Sequence, residues 1–146
     1  MKYTNEGSLL TEVILETFKL NGLLVSAGDQ LTRDVGLTSA RWKVLGALSG
    51  EDTALTVPNI ARKMGQSRQA VQRLVNEMVK DELLEARHNP HHERAKLFSL
   101  TEKGEESFRK IMNKQIPWAN ALVQEISEQD LKTVAGVLQK LNKKLE

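Results

Sequence analysis

The chain has no cysteine, which excludes a disulfide framework, cysteine zinc sites, iron–sulfur clusters, a thiol nucleophile and any thiol-based redox sensor. Aromatic residues are scarce at 4%. Phe98 is the sole aromatic between residues 57 and 100, which argues against the stacking platform that single-stranded nucleic acid requires. No apolar run approaches the roughly 18 residues of a membrane span. Glu12, Glu16 and Lys19 interrupt the only early stretch that could serve as a secretion signal, so the expected location is the cytoplasm, with no membrane partner. Repeats and low-complexity tracts are absent, and the three prolines are widely spaced. What remains is an ordinary globular composition, 40% apolar and 27% charged over 146 residues. That length suits about one domain with a core of its own.

The net charge of +2 becomes informative only when it is divided along the chain. Residues 1–56 carry 5 basic and 7 acidic groups, residues 57–100 carry 8 and 5, and residues 101–146 carry 8 and 7. The stretch 57–76 holds Arg62, Lys63, Arg68 and Arg73 with no acid, and all three histidines follow in the same middle block. A basic stripe on a near-neutral chain points to a local polyanion contact, although a solvated helix face can look the same.

Periodicity predicts a mostly α fold with one small β-hairpin. Leu10, Val13, Ile14, Leu20, Leu24, Ala27 and Leu31 recur at helical spacing over about 9–32, and Asp34 to Gly36 break that helix. Thr38 or Ser39 can cap a second helix running through Trp42, Val44, Leu45 and Leu48 to Gly50. After a polar loop over 50–56, Pro58 suits the start of a helix 57–64 that ends at Gly65. Ser67 caps a helix over about 68–80, with Ala70, Val71, Leu74, Val75, Met78 and Val79 as the buried stripe. Leu84–Arg87 and Lys96–Leu100 read as short strands joined by a turn-rich stretch around Asn89 and Pro90. Thr101 can cap a helix over about 102–125 in which Pro117 introduces a kink, and Ser127 with Asp130 resembles a capping box for the last helix.

A helix-turn-helix needs a small residue where its helices cross, a glycine in the turn and a branched apolar residue packing back. Ala61, Gly65 and Val71 satisfy all three, with Ile60, Met64 and Leu74 flanking them. An αα-corner with a chance glycine would show part of this pattern, so the outer face of the second helix decides. Capped by Ser67, it offers Arg68, Gln69, Gln72, Arg73 and Asn76, and the first acid is Glu77. Arginine paired with guanine and glutamine paired with adenine are the geometric matches for a helix in a major groove of double-stranded DNA. The hairpin that follows can act as a wing, carrying Arg94 and Lys96 toward phosphates or a minor groove.

Rival chemistries fare worse. His88, His91, His92 and Glu93 are dense in ligand atoms, but Lys96 stands where a zinc-protease pattern needs its second histidine, and a wing tip is a poor cage. No metal, cofactor or enzymatic activity is expected, because phosphate-cradling loops, dinucleotide fingerprints and nucleophile elbows are missing. The alternative from another class is a helical interaction module that presents its basic face to an acidic protein.

The stretch Gly36-Leu37-Thr38 with Arg41-Trp42-Lys43-Val44-Leu45, then Ile60-Ala61 and Ser67 through Lys80, resembles the MarR family of bacterial transcription regulators. Asn89-Pro90, Arg94-Ala95-Lys96-Leu97 and Leu100-Thr101-Glu102-Lys103-Gly104 continue the resemblance, which spans most of the chain. It implies a winged helix-turn-helix over 36–100, with 1–35 and 101–146 as dimerisation helices. The leucine-rich seam Leu131, Val134, Leu138, Leu141 and Leu145 fits such an intersubunit bundle. It further implies a homodimer on pseudo-palindromic double-stranded DNA, usually a repressor relieved by a small aromatic effector. Phe18, Trp42 and Trp118 are the candidates to line an effector pocket, though plain core packing is the commoner role of such side chains. One departure concerns the wing: His92 stands where the family commonly has an aspartate two positions before an arginine, here Arg94. The salt bridge that steadies the wing is then lost or replaced by a weaker, pH-sensitive contact.

Overall fold

Thr4 opens the first helix by accepting the Gly7 N–H at 3.0 Å, and α1 spans Asn5–Thr32, starting earlier than its apolar periodicity suggests. The computed structural model describes residues 1–50 and 54–146; residues 51–53 of the expected 50–56 loop lie outside the described residues. After α1 come α2 (Ser39–Leu48), α3 (Val57–Met64), α4 (Arg68–Lys80), β1 (Leu84–Arg87), β2 (Leu97–Leu100), α5 (Glu102–Leu122) and α6 (Glu128–Leu145). The chain is thus mostly helical with one antiparallel hairpin, as its periodicity predicts. It divides into two compact units, Met1–Asn113 and Lys114–Glu146.

In the first unit, α1 ends in a 3-10 turn over Arg33–Val35 and a left-handed Gly36. Gly28 lets α1 and α2 cross closely, since a Cβ there would stand 2.8 Å from the Ser39 hydroxyl. Asp29 Oδ1 accepts the Ser39 N–H at 2.8 Å, and Thr38 Oγ1 accepts the Arg41 N–H at 3.2 Å, so two side chains satisfy the start of α2.

The α3–α4 turn follows from Gly65 at φ +64. Its N–H bonds to Arg62 O at 3.3 Å, and the Gln66 N–H reaches Ala61 O at 3.0 Å, closing α3 with a paired left-handed cap. Ser67 Oγ then accepts the Ala70 N–H at 3.1 Å and starts α4. Val71, Val75 and Met78 of α4 pack with Val44 and Leu45 of α2, Ile60 of α3 and Ile111 of α5 in one core, all fully buried. Each such side chain contributes about 1.5–3 kcal/mol of burial free energy. Ala70 departs from the expected stripe: it is exposed, although the next residue, Val71, is fully buried, because one residue turns the helix by about 100° and carries Ala70 off the core face.

The hairpin pairs Leu84 with Leu100 through Arg87 with Leu97. Leu55 adds a single bridge to Phe98, with N–H to O distances of 3.0 and 2.8 Å. Thr101 clasps the root of the hairpin: its N–H donates to Leu83 O at 3.1 Å, and its Oγ1 donates to Glu82 O at 2.6 Å while accepting the Gly104 N–H at 3.0 Å. Lys103 Nζ donates to Asp81 O at 2.9 Å. The carbonyls of three successive residues after α4 are therefore held by the start of α5.

α5 continues through Pro117 to Leu122, shorter than expected from periodicity, and the chain turns at Glu125 with φ +70. In the second unit, Ser127 Oγ accepts the Asp130 N–H at 3.0 Å, as the capping-box pattern implies, and α6 buries none of its residues. Among the described residues no helix is long and apolar enough to cross a membrane.

Candidate nucleic-acid interface

The exposed face of α4, the start of α3 and the hairpin enclose a groove of about 620 Å³. Arg68, Gln69, Gln72 and Asn76 line it from α4, and Arg94 and Lys96 line it from the hairpin. Its apolar part comes from Val57, Pro58, Val79, Ala86, Ala95 and Phe98. Three cations and three amides thus converge on a surface with no acidic lining residue. That is a suitable surface for a polyanion whose edges also need donors and acceptors.

Six of the eight residues expected to contact DNA therefore share one groove. Ser67 does not line the groove; it is exposed, and its hydroxyl caps α4 by accepting the Ala70 N–H. Arg73 does not line the groove. One residue advances a helix by about 100°, so Arg73 sits on the flank of α4, exposed, with Nε 3.7 Å from Glu77 Oε1. The face is also ordered before any ligand arrives: Gln72 Nε2 donates to Asn76 Oδ1 at 2.9 Å, one turn along.

The wing is held by Asn89 where the resemblance implies an aspartate–arginine pair. Asn89 is buried, and its Oδ1 accepts the His91 N–H at 3.0 Å. Its carbonyl accepts the His92 N–H at 3.2 Å, and the His92 carbonyl accepts the Ala95 N–H at 3.3 Å. Two consecutive turns, 89–92 around Asn89-Pro90 and 92–95 after it, set the loop, and His92 joins them through its backbone. Among the described residues no three histidine, aspartate or glutamate side chains converge as a metal site requires.

Sequence reasoning missed the ion network beside the groove. Arg41 Nη1 donates to Asp81 Oδ2 at 2.6 Å, and its Nη2 lies 3.8 Å from Glu77 Oε2. Residues 41 and 77 or 81 are far apart in sequence, and no local spacing signals their meeting. A second cavity of about 480 Å³ shares Phe98 with the groove and has Arg87, Phe108 and Arg109 among its lining residues. Phe18, Trp42 and Trp118 line neither cavity: Phe18 is exposed on α1, Trp42 is half-buried on α2 beside Gly28, and Trp118 is half-buried on α5.

A turn closed by a left-handed glycine, a polar helix face and an adjoining hairpin with two cations define a winged helix-turn-helix protein. The MarR family model matches residues 35–95. A Mycobacterium tuberculosis (strain H37Rv) protein designated uncharacterized is 36% identical over 132 residues, covering 90% of this chain and 91% of its own. The fold is similar to that of a MarR/EmrR family transcriptional regulator from Acinetobacter sp. ADP1, with TM-score 0.81, 21% identity and coverage of 92% and 95%. It is also similar to CouR from Rhodococcus jostii RHA1 bound to p-coumaroyl-CoA, with TM-score 0.78, 17% identity and coverage of 89% and 91%. The chain belongs to the MarR family, whose members are DNA-binding transcription regulators and not enzymes.

Proposed function

We propose that the protein is a homodimeric, ligand-responsive repressor acting in the cytoplasm on a pseudo-palindromic operator. In this reading residues 36–100 bind DNA, and 1–35 with 101–146 dimerise. Gln69, Gln72 and Arg73 read base edges from the major groove, beside Ser67 and Asn76, with Arg68 at a base or a phosphate. Arg94 and Lys96 extend contact through the wing. The observation that carries the reading is the acid-free groove in which α4 and the hairpin combine three cations with three amides.

Dimerisation is supported by apolar surface that a lone chain leaves in water. On α1, Leu9, Leu15, Phe18 and Leu23 are each more than half exposed. On α6, Leu131, Val134, Val137 and Leu145 are exposed as well. Such concentrations mark association surfaces. Two-fold symmetry would then set the recognition helices about 34–36 Å apart, one duplex turn. A small aromatic effector is the proposed ligand class, with Phe18, Trp42 and Trp118 as candidate contacts, and CouR, a protein of similar fold, is bound to p-coumaroyl-CoA.

The test is binding to a labelled fragment from upstream of the protein's own reading frame, against competitor DNA, at two salt concentrations. A competitor-resistant complex with two chains per site is the expected result. Binding that competitor and salt abolish together removes operator recognition on that fragment. No binding even at low salt returns the protein to the class of helical modules for acidic protein partners.

A further inference from the structure

Arg41 lies outside the groove, yet it is linked to the recognition helix through two acids. Its Nη1 is fixed on Asp81 at 2.6 Å, and that leaves Nη2 facing Glu77 Oε2 at 3.8 Å. The other oxygen of Glu77 faces Arg73 Nε at 3.7 Å, beyond hydrogen-bond length. Arg41 is largely covered, with a side chain 20% exposed, whereas Arg73 is 85% exposed. Glu77 is thus shared, at nearly equal distances, between an anchored arginine and an exposed one.

We propose that Arg41 is a positioning residue for DNA recognition: anchored on Asp81, it competes with Arg73 for Glu77, keeps the Arg73–Glu77 pair from closing to hydrogen-bond length, and so leaves the Arg73 guanidinium able to reach DNA. An Arg73–Glu77 pair four residues apart on one helix would otherwise close to a direct ion pair. Arg73 would then have to break it before meeting a phosphate or a base. Arginine suits the task at position 41 because its planar fork serves two carboxylates at once, whereas a lysine ammonium is a single point charge. This inference rests on the reading of Arg73 as a DNA contact.

The experiment is a double-mutant cycle on the full-length chain. DNA affinity is measured on a duplex recovered by the wild-type protein from a random-sequence pool. Arg41→Lys preserves charge, so general electrostatics is held constant. It is expected to weaken binding about threefold or more alone, and to have no effect in a Glu77→Gln background, where no carboxylate remains to trap Arg73. Thermal unfolding of each variant separates this outcome from structural damage, because lost fold stability is not rescued by Glu77→Gln. Equal losses in both backgrounds, or no loss in either, overturn the proposal while leaving the interface intact. If Arg73→Ala binds like wild type, Arg73 is no DNA contact and the proposal falls with that premise. Failure to recover any duplex removes the DNA reading itself, and this proposal with it.

Discussion

Gln72 and Asn76 are bonded to each other across one turn of α4, the Gln72 amide donating to the Asn76 carbonyl oxygen at 2.9 Å. The bond spends one of two Gln72 donors and holds its side chain over the groove, so the two amides behave as a unit. Gln72→Ala should cost about 1–3 kcal/mol of discrimination between the bound duplex and random DNA. Asn76→Ala should cost roughly half to one unit of that free energy by letting Gln72 wander among rotamers. Competition binding measures both; an unchanged ratio in Asn76→Ala beside a reduced one in Gln72→Ala would separate the pair.

Lys96 lines the groove from the residue just before β2, which starts one residue later than the expected strand, and there its ammonium can serve phosphates of any sequence. Lys96→Ala should therefore weaken specific and random DNA alike. The slope of log affinity against log salt should flatten by about one unit. A salt titration yielding the wild-type slope removes Lys96 from the phosphate contacts.

Asn89 organises the wing through its buried side chain. Asn89→Ala deletes the acceptor of the His91 N–H and should cost about 1 kcal/mol of stability. The larger effect is expected on DNA binding, since Arg94 and Lys96 lose a fixed platform. Amide hydrogen exchange at residues 91–95 should rise well before global unfolding; exchange as slow as in wild type counts against this account.

Gly104 sits where α5 meets the backbone after α4, and a Cβ there would be driven into the Leu83 carbonyl oxygen. That atom is already bonded by the Thr101 N–H and cannot retreat freely. Gly104→Ala should destabilise the fold by more than about 2 kcal/mol, against the gain alanine usually gives inside a helix. Urea unfolding decides the sign.

Local chemistry was legible in the sequence wherever one residue dictates its own neighbourhood. Ser67, Thr38 and Ser127 stand at the caps their hydroxyls favour, Gly65 stands at the left-handed cap its bare backbone favours, and β1 occupies the expected residues. The groove was legible for the same reason, since six expected residues lie on one helix face and one hairpin. What stayed hidden depends on partners distant in the chain. The bridge from Leu55 to Phe98 involves a single residue pair, too short to leave an alternating pattern. Arg41 reads as an ordinary surface cation until α4 brings Glu77 and Asp81 beside it. Arg73 looks equivalent to Gln72 in sequence, and only the position of the hairpin shows which flank is which. The start of α1 escaped notice because its first turn carries a cap and polar residues, with no apolar repeat to count.

Three consecutive carbonyls, those of Asp81, Glu82 and Leu83, are gripped by Thr101 and Lys103. Glu82 itself is locked at φ +63, a conformation that few side chains adopt readily. The knot joins the end of α4, the root of the hairpin and the first turn of α5. A rotation of the first turn of α5 would therefore carry the end of α4 and the root of the hairpin with it, because three of their backbone carbonyls answer to the same two side chains.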